Sequence, residues 1–419
     1  MKVSEMAESL LGSHIQRISN EISDLQKQGK KIYNFTVGDF DPKIFPIPEL
    51  LKEKIIQCYR DDITNYPRIN GTPELRESVS RFIKHREHLD YSPEDILIGC
   101  GARPIIYAIF QTVLNPGDKV ILPVPSWNNN HYTHLARAGR IEVETLPEEN
   151  FMLRIEQIEP FIKEASLLAL CSPQNPTGTA FGEQDLIKIF TRIVEENKMR
   201  MNKGIKPLYV MYDQIYWMLS YGATTHFNPV TLIPEMRDYT IFVDGISKVL
   251  ASTGIRVGWG FGPSGVIDKM KSFISHMGAF APKAEQIAVA EYLNETNEVN
   301  KYIEWIKATI NSKLLKIYNG ITALKSKGYK VDSIAPQGAI YLTVQFDLHG
   351  FKTPSGKALN STGDITTYLM NEAQLGLVPF YAFGSNQEST WYRLSVGTCR
   401  DDDIPVVMEK LEAALSKLS

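Results

Sequence analysis

The run Leu208-Tyr209-Val210-Met211-Tyr212 ends in Asp213 and continues as Gln214-Ile215-Tyr216. An apolar run of this length that stops at a carboxylate suits a strand buried on both faces, with the acid at its carboxyl end. Comparable runs flank it: Ile96-Leu97-Ile98, Val120-Ile121-Leu122 and Leu167-Leu168-Ala169-Leu170 before, Ile241-Phe242-Val243 and Val257-Gly258-Trp259-Gly260 after. Gly, Pro and polar residues bound the runs, and the lengths between them suit crossover helices. The sequence therefore predicts α/β architecture, three layers with a mainly parallel sheet.

Outward from this region the pattern changes. Residues 5–28 place Leu10, Leu11, Ile15, Ile18, Ile22 and Leu25 at helical spacing, which predicts one amphipathic helix. The stretch to about residue 90 is mixed, with turns marked by Asp41-Pro42, Tyr66-Pro67 and Asn70-Gly71. Beyond about residue 290 helical pattern dominates, broken by a strand-like stretch at Ala339–Val344 and closed by a helix at about 404–418. We expect a large domain at 46–290 and a small α+β domain built from 1–45 and 291–419.

The chain has 419 residues, and 45 Lys+Arg against 48 Asp+Glu leave a net charge of −3. No basic field exists to hold a phosphate backbone, so nucleic acid is not an expected partner. Hydrophobic and charged fractions of 43% and 22% are ordinary globular values. Cys58, Cys100, Cys171 and Cys399 are widely separated and form no CxxC pair, which fits a reducing, cytoplasmic setting rather than a disulfide framework. No apolar stretch reaches membrane-spanning length, and the opening residues lack an export signal's apolar core. His85/His88 and His131/His134 lack an accompanying acidic ligand motif, so no metal is expected.

In open parallel sheets ligands bind beyond the carboxyl ends of the strands. There the sequence places Gly101-Ala102-Arg103, Pro125-Ser126-Trp127-Asn128, Asn175-Pro176-Thr177-Gly178, Asp213-Gln214-Ile215-Tyr216 and Gly245-Ile246-Ser247-Lys248. One lysine, one strand-end aspartate, a tyrosine, an asparagine, a tryptophan and a Gly-marked helix start meet the needs of pyridoxal phosphate (PLP). These are an amine to carry it, a carboxylate for its ring nitrogen, donors to its phenolate oxygen, an aromatic face and an anion cradle.

With these motifs stand NFTVGDFDP at 34–42, YPRINGTPELR at 66–76, SKVLASTGIRVGW at 247–259, PQGAIY at 336–341 and RLSVG at 393–397. In this order, from about Asn34 to Arg400, the sequence resembles a class I aminotransferase of the fold type I PLP-dependent family, most of all the bacterial aspartate aminotransferase-like proteins. The resemblance implies a homodimer whose large domain carries PLP. It makes Lys248 the residue that holds the cofactor and moves the substrate Cα proton, Asp213 the partner of the ring nitrogen, and Tyr216 and Asn175 the donors to the phenolate. Trp127 and Ile215 would lie against opposite ring faces. Gly101, Ala102, Arg103, Ser247 and Arg256 would hold the phosphate, with Tyr66 reaching it from the partner subunit. Arg393, with the Gly38 backbone and Asn175, would grip the substrate carboxylate, and Arg103 could instead read a distal carboxylate.

Taken singly, these residues keep plainer readings: a solvated Lys248, a helix-capping Asp213, core or loop-packing roles for Tyr216, Trp127, Ile215 and Tyr66, and a surface ion pair for Arg393. The implied reaction moves an amino group from an L-amino acid, aspartate or glutamate first, to a 2-oxo acid such as 2-oxoglutarate. A C–S lyase or decarboxylase on the same fold, or a non-catalytic PLP-binding sensor, are the alternatives.

Overall fold

In the computed structural model, which describes residues 3–10, 12 and 14–419, the apolar runs form one sheet. Its strands are β1 (Ile96–Cys100), β2 (Lys119–Val124), β3 (Gly139–Glu144), β4 (Ala165–Cys171), β5 (Tyr209–Asp213), β6 (Thr240–Gly245) and β7 (Val257–Phe261). Their spatial order is β1-β7-β6-β5-β4-β2-β3. Pairing is parallel from β3 across to β6, while β7 runs antiparallel to both its neighbours. β5 shows why the strands are apolar throughout: Val210 and Tyr212 pack into one core layer and Met211 into the other.

Each face is covered by helices whose apolar stripes follow the 3.6-residue period. On one side lie α3 (Ala102–Val113) and α5 (Ser264–Met277), burying Ile105, Ile109, Phe110, Ile267 and Met270. On the other lie α2 (Pro73–Glu87) and α4 (Glu183–Asn202), burying Val79, Phe82, Ile189 and Phe190. Each such side chain taken fully out of water contributes about 1.5–3 kcal/mol.

A second sheet, β8 (Val331–Ser333), β9 (Tyr341–Phe346), β10 (Val378–Pro379) and β11 (Trp391–Ser395), is antiparallel in the order β10-β11-β9-β8. The 31-residue α6 (Thr296–Ser326) and α7 (Asp403–Leu415) pack with it. In this sheet Arg393 of β11 sits opposite Thr343 of β9. Among the described residues no helix is long and apolar enough to cross a membrane.

The single N-terminal helix expected over 5–28 is two. A short one spans Glu5–Ser9, capped by the Ser4 hydroxyl accepting from Ala7 N, and α1 spans His14–Lys27. Gly12, a poor helix former, lies between them. Ile18 and Ile22 of α1 are buried beside Val378 and Phe380, while Leu11 lies outside the described residues. β3 was not anticipated. Its Gly-Arg-Ile-Glu-Val-Glu alternation leaves most of its side chains wet, as befits a sheet edge guarded by charge.

Candidate active site

Beyond the carboxyl ends of the parallel strands lies a cavity of about 500 Å³. Twelve of the fourteen residues named from the sequence line it: Gly38, Ala102, Arg103, Trp127, Asn175, Asp213, Ile215, Tyr216, Ser247, Lys248, Arg256 and Arg393. Gly101 sits directly beneath, packed on the Arg256 guanidinium. Tyr66 does not join them. It is 88% exposed, beside Tyr59, Asn65 and Pro282 in a separate surface depression.

One end of the cavity is built for an anion. Gly101, at φ +79°, precedes α3 and offers no side-chain cap, so the Ala102 and Arg103 N–H groups of the first turn have no capping side chain. A Cβ on Gly101 would fall 2.1 Å from Arg256 Nη2, and one on Gly258 of β7 would fall 2.6 Å from the Gly101 carbonyl carbon. Both glycines are therefore required by close approach. Arg256 itself adopts φ +62°, an uncommon conformation for a side chain of its size. It is held there by donating to Thr253 O at 2.6 Å and to Cys100 O at 3.0 Å.

Asp213 stands at the end of β5, its Oδ1 accepting from Ile215 N at 3.1 Å. Burial pushes its carboxyl up to about 6, against the pull of that N–H and of Lys248. Lys248 donates from Nζ to Gly38 O at 2.6 Å. Burial lowers its amine to about 8, with Asp39 opposing and the three arginines Arg393, Arg103 and Arg256 adding to the depression. The amine is thus nearer its neutral form at physiological pH than a surface lysine.

Arg393 is only 2% exposed, and its partners are uncharged. It donates to Asn175 Oδ1 at 2.9 Å and Thr36 O at 2.7 Å, while its Nε is buried without a partner. Its guanidinium lies 4.7 Å from the Tyr341 ring and 4.9 Å from that of Phe383. A buried guanidinium without an anion is costly, so the site favours arrival of a carboxylate. The Tyr216 and Tyr341 hydroxyls share a 2.7 Å hydrogen bond, and Arg103 stacks 4.5 Å over Trp127.

Local packing explains the motifs. Gly178, at φ +70°, lets the Asn175–Gly178 turn press on β9, where a Cβ would fall 2.2 Å from Tyr341 O. Gln174 donates to Pro125 O at 2.6 Å, tying the turn to the loop of Trp127. Asp39 accepts from Thr253 Oγ1 at 2.6 Å and so joins the N-terminal segment to the lysine loop. The sequence reading missed Asp39, Cys171, Thr253, Tyr341 and Ile15 of α1 as cavity residues. Tyr341 and Asp39 lay within motifs already singled out, PQGAIY and VGDFD, and their position there was the available signal.

The donor set fits PLP: an uncapped helix start flanked by Ser247 and Arg256 for the phosphate, a buried carboxylate for the ring nitrogen and a desolvated lysine in the same cavity. Among the described residues no group of three or more His, Cys, Asp or Glu could hold a metal ion.

The class defined by this fold and site is supported by comparison. The family described as aminotransferase class I and II matches residues 30–411, and the chain belongs to it. It is a PLP-dependent amino-acid aminotransferase. It is 28% identical over 370 residues to an aspartate aminotransferase of Bacillus sp. (strain YM-2), covering 88% of each chain. It is 29% identical over 398 residues to a probable aspartate/prephenate aminotransferase of Rickettsia bellii, covering 94% of this chain and 92% of that one. Among solved structures, the aspartate aminotransferase of Rhizobium meliloti superposes with a TM-score of 0.90 at 25% identity over the whole of both chains. That of Thermus thermophilus, solved with maleate, gives 0.85 at 26% identity over 99% of this chain and all of that one.

Proposed function

We propose that the chain transfers the α-amino group of L-aspartate or L-glutamate to a 2-oxo acid such as 2-oxoglutarate, working as a cytoplasmic homodimer. The observation that carries the reading is the placement of Lys248, Asp213 and Arg393 around one cavity. Bound PLP supplies the electron sink that makes the substrate Cα–H acidic. Arg393 turns its fork to the α-carboxylate, a planar bidentate match, while Asn175 and the Gly38 backbone complete the grip. That orients the Cα–H bond toward Lys248, whose amine, already lowered by burial, would take the proton at Nζ. Asp213, ionised, would hold the pyridine nitrogen protonated. Tyr216 and Asn175 would donate to the phenolate oxygen, and Trp127 and Ile215 would lie against the ring. Ser247, Arg256 and the amides of Gly101, Ala102 and Arg103 would bind the phosphate.

Arg103 stands exposed at the cavity wall beside Trp127, where it can meet a distal carboxylate as well as the phosphate. The names of the relatives, aspartate and aspartate/prephenate aminotransferases, favour a dicarboxylic donor. The high exposure of Tyr66 supports a role at a partner subunit's site. Gly38 and Arg393 belong to the segments 1–45 and 291–419, which we read as the small domain, apart from the large domain at 46–290, so substrate binding would draw the two together. The test is to add amino acids singly, without an acceptor, and record the cofactor absorption. Conversion to the amine form by aspartate or glutamate is expected. Pyruvate and ammonia released from a β-substituted amino acid would instead place the chain among the lyases.

A further inference from the structure

Behind Asp213, away from the cavity, three more polar side chains are buried in a row that the reaction above does not use. Gln214, wholly buried, follows Asp213 directly and donates from Nε2 to both carboxyl oxygens of Glu87 at 2.8 Å. Glu87 ends α2 and is 5% exposed. Its Oε2 stands 3.8 Å from Nε2 of the buried His226, neither of whose ring nitrogens has a hydrogen-bond partner. On the other side Gln214 interacts with Asp244 of β6, a fully buried residue one position beyond the strand partner of Asp213. Asp244 accepts from Gly245 N at 2.7 Å and from Trp217 Nε1 at 2.9 Å.

The row holds no cation to balance two ionised carboxyls. Gln214, its amide N–H toward Glu87, can donate to a carboxylate but neutralises none of its charge. The titratable groups facing the pair are Asp213, Tyr212 and His226, and none is a lysine or arginine. Two buried carboxylates without a cation, next to a third, are strongly disfavoured. Protonation of the two acids removes that cost, and the nearest base, the His226 ring 3.8 Å from Glu87, has no hydrogen-bond partner on either nitrogen.

We infer that Asp244 and Glu87 are uncharged carboxylic acids and act as positioning residues for Asp213, keeping its charge the single negative one at this end of the sheet. The inference rests on the reading of Asp213 as the partner of the cofactor nitrogen. A charge on Asp244 would repel that of Asp213 and drive a proton onto one of them, whereas the neutral acid leaves Asp213 free to ionise. Burial raises Asp244 to about 8 and Glu87 well above the carboxylate range.

Infrared spectra of the holoenzyme decide the matter. At pH 7 the wild type is expected to show two carbonyl bands of protonated, buried acids, one missing in Asp244→Asn and the other in Glu87→Gln. As pH climbs through about 8 the Asp244 band should fade, and the cofactor absorption should shift with it, a shift absent in Asp244→Asn. A wild type without these bands, a variant that keeps both, or an absorption profile identical in wild type and Asp244→Asn would each overturn the inference. Should Asp244→Asn not fold, the wild-type spectrum decides alone, and the lack of a protonated-acid band at pH 7 counts against the assignment. Full activity in Asp213→Asn would sink the role of Asp213 while leaving the infrared bands in place, so the two failures are distinguishable.

Discussion

Arg393 and Asn175 meet across two sheets, the guanidinium Nη1 donating to the amide Oδ1 at 2.9 Å. One comes from β11 and the other from the turn after β4, so the bond locks the substrate-side strand to the cofactor-side turn. Arg393→Lys keeps a charge but loses the fork. We expect kcat/KM to fall about 100-fold or more, roughly 2.7 kcal/mol of transition-state binding. A change below about threefold in steady-state kinetics would remove Arg393 from the substrate grip.

Lys248→Ala removes the amine that faces Gly38 O. The variant should lose the absorption band of covalently held cofactor and all measurable turnover. Turnover within about tenfold of wild type would assign the proton transfer to another group.

Gly258→Ala tests the cradle without touching a charged group. The new methyl would stand 2.7 Å from Ala102 N and 2.6 Å from the Gly101 carbonyl carbon, both backbone atoms that cannot swing aside. We expect a loss of about 1–3 kcal/mol in unfolding free energy together with weaker PLP binding. Unchanged cofactor affinity would show that the helix start does not carry the phosphate.

Arg103→Ala separates two roles. If Arg103 reads a distal carboxylate, kcat/KM for aspartate should drop about tenfold or more while that for aromatic donors holds. Equal losses on both would leave it with the phosphate alone.

The His226 side chain is 8% exposed, and burial lowers its imidazole to about 3 from 6.5. At this residue the unfolded chain takes up a proton below 6.5 and the folded chain does not until about 3, so the contribution of His226 to stability is full above 6.5 and falls as pH drops through that window. His226→Gln should flatten this slope, read as urea midpoints at pH 7.5 and pH 5. An unaltered slope would mean that His226 is already charged beside Glu87.

Much of this was legible because the chemistry sits where simple patterns end. The buried strands wrote themselves as apolar runs, and Asp213 and Lys248 follow such runs directly. The direction of β7 was not legible, since Val257-Gly258-Trp259-Gly260 is equally apolar whichever way it runs, and β3 was hidden by its exposed edge. Tyr341 was missed because its hydroxyl meets that of Tyr216 only in the packed fold, across a sequence separation of 125 residues. The Glu87–Gln214–Asp244 row lay beyond sequence reading too, for it joins a helix end, a turn and a strand that only the packed fold makes neighbours.

The reversed direction of β7 has one further result. Because it pairs antiparallel with β6 and enters the sheet at the edge where β6 leaves, the connection from 246 to 256 starts and finishes on the same rim of the molecule. A single short loop can then present Ser247, Lys248 and Arg256 together, with no crossing of the sheet between them. The amine and the guanidinium therefore behave as one cassette: lengthening or shortening that loop by a residue would displace both cationic groups at once.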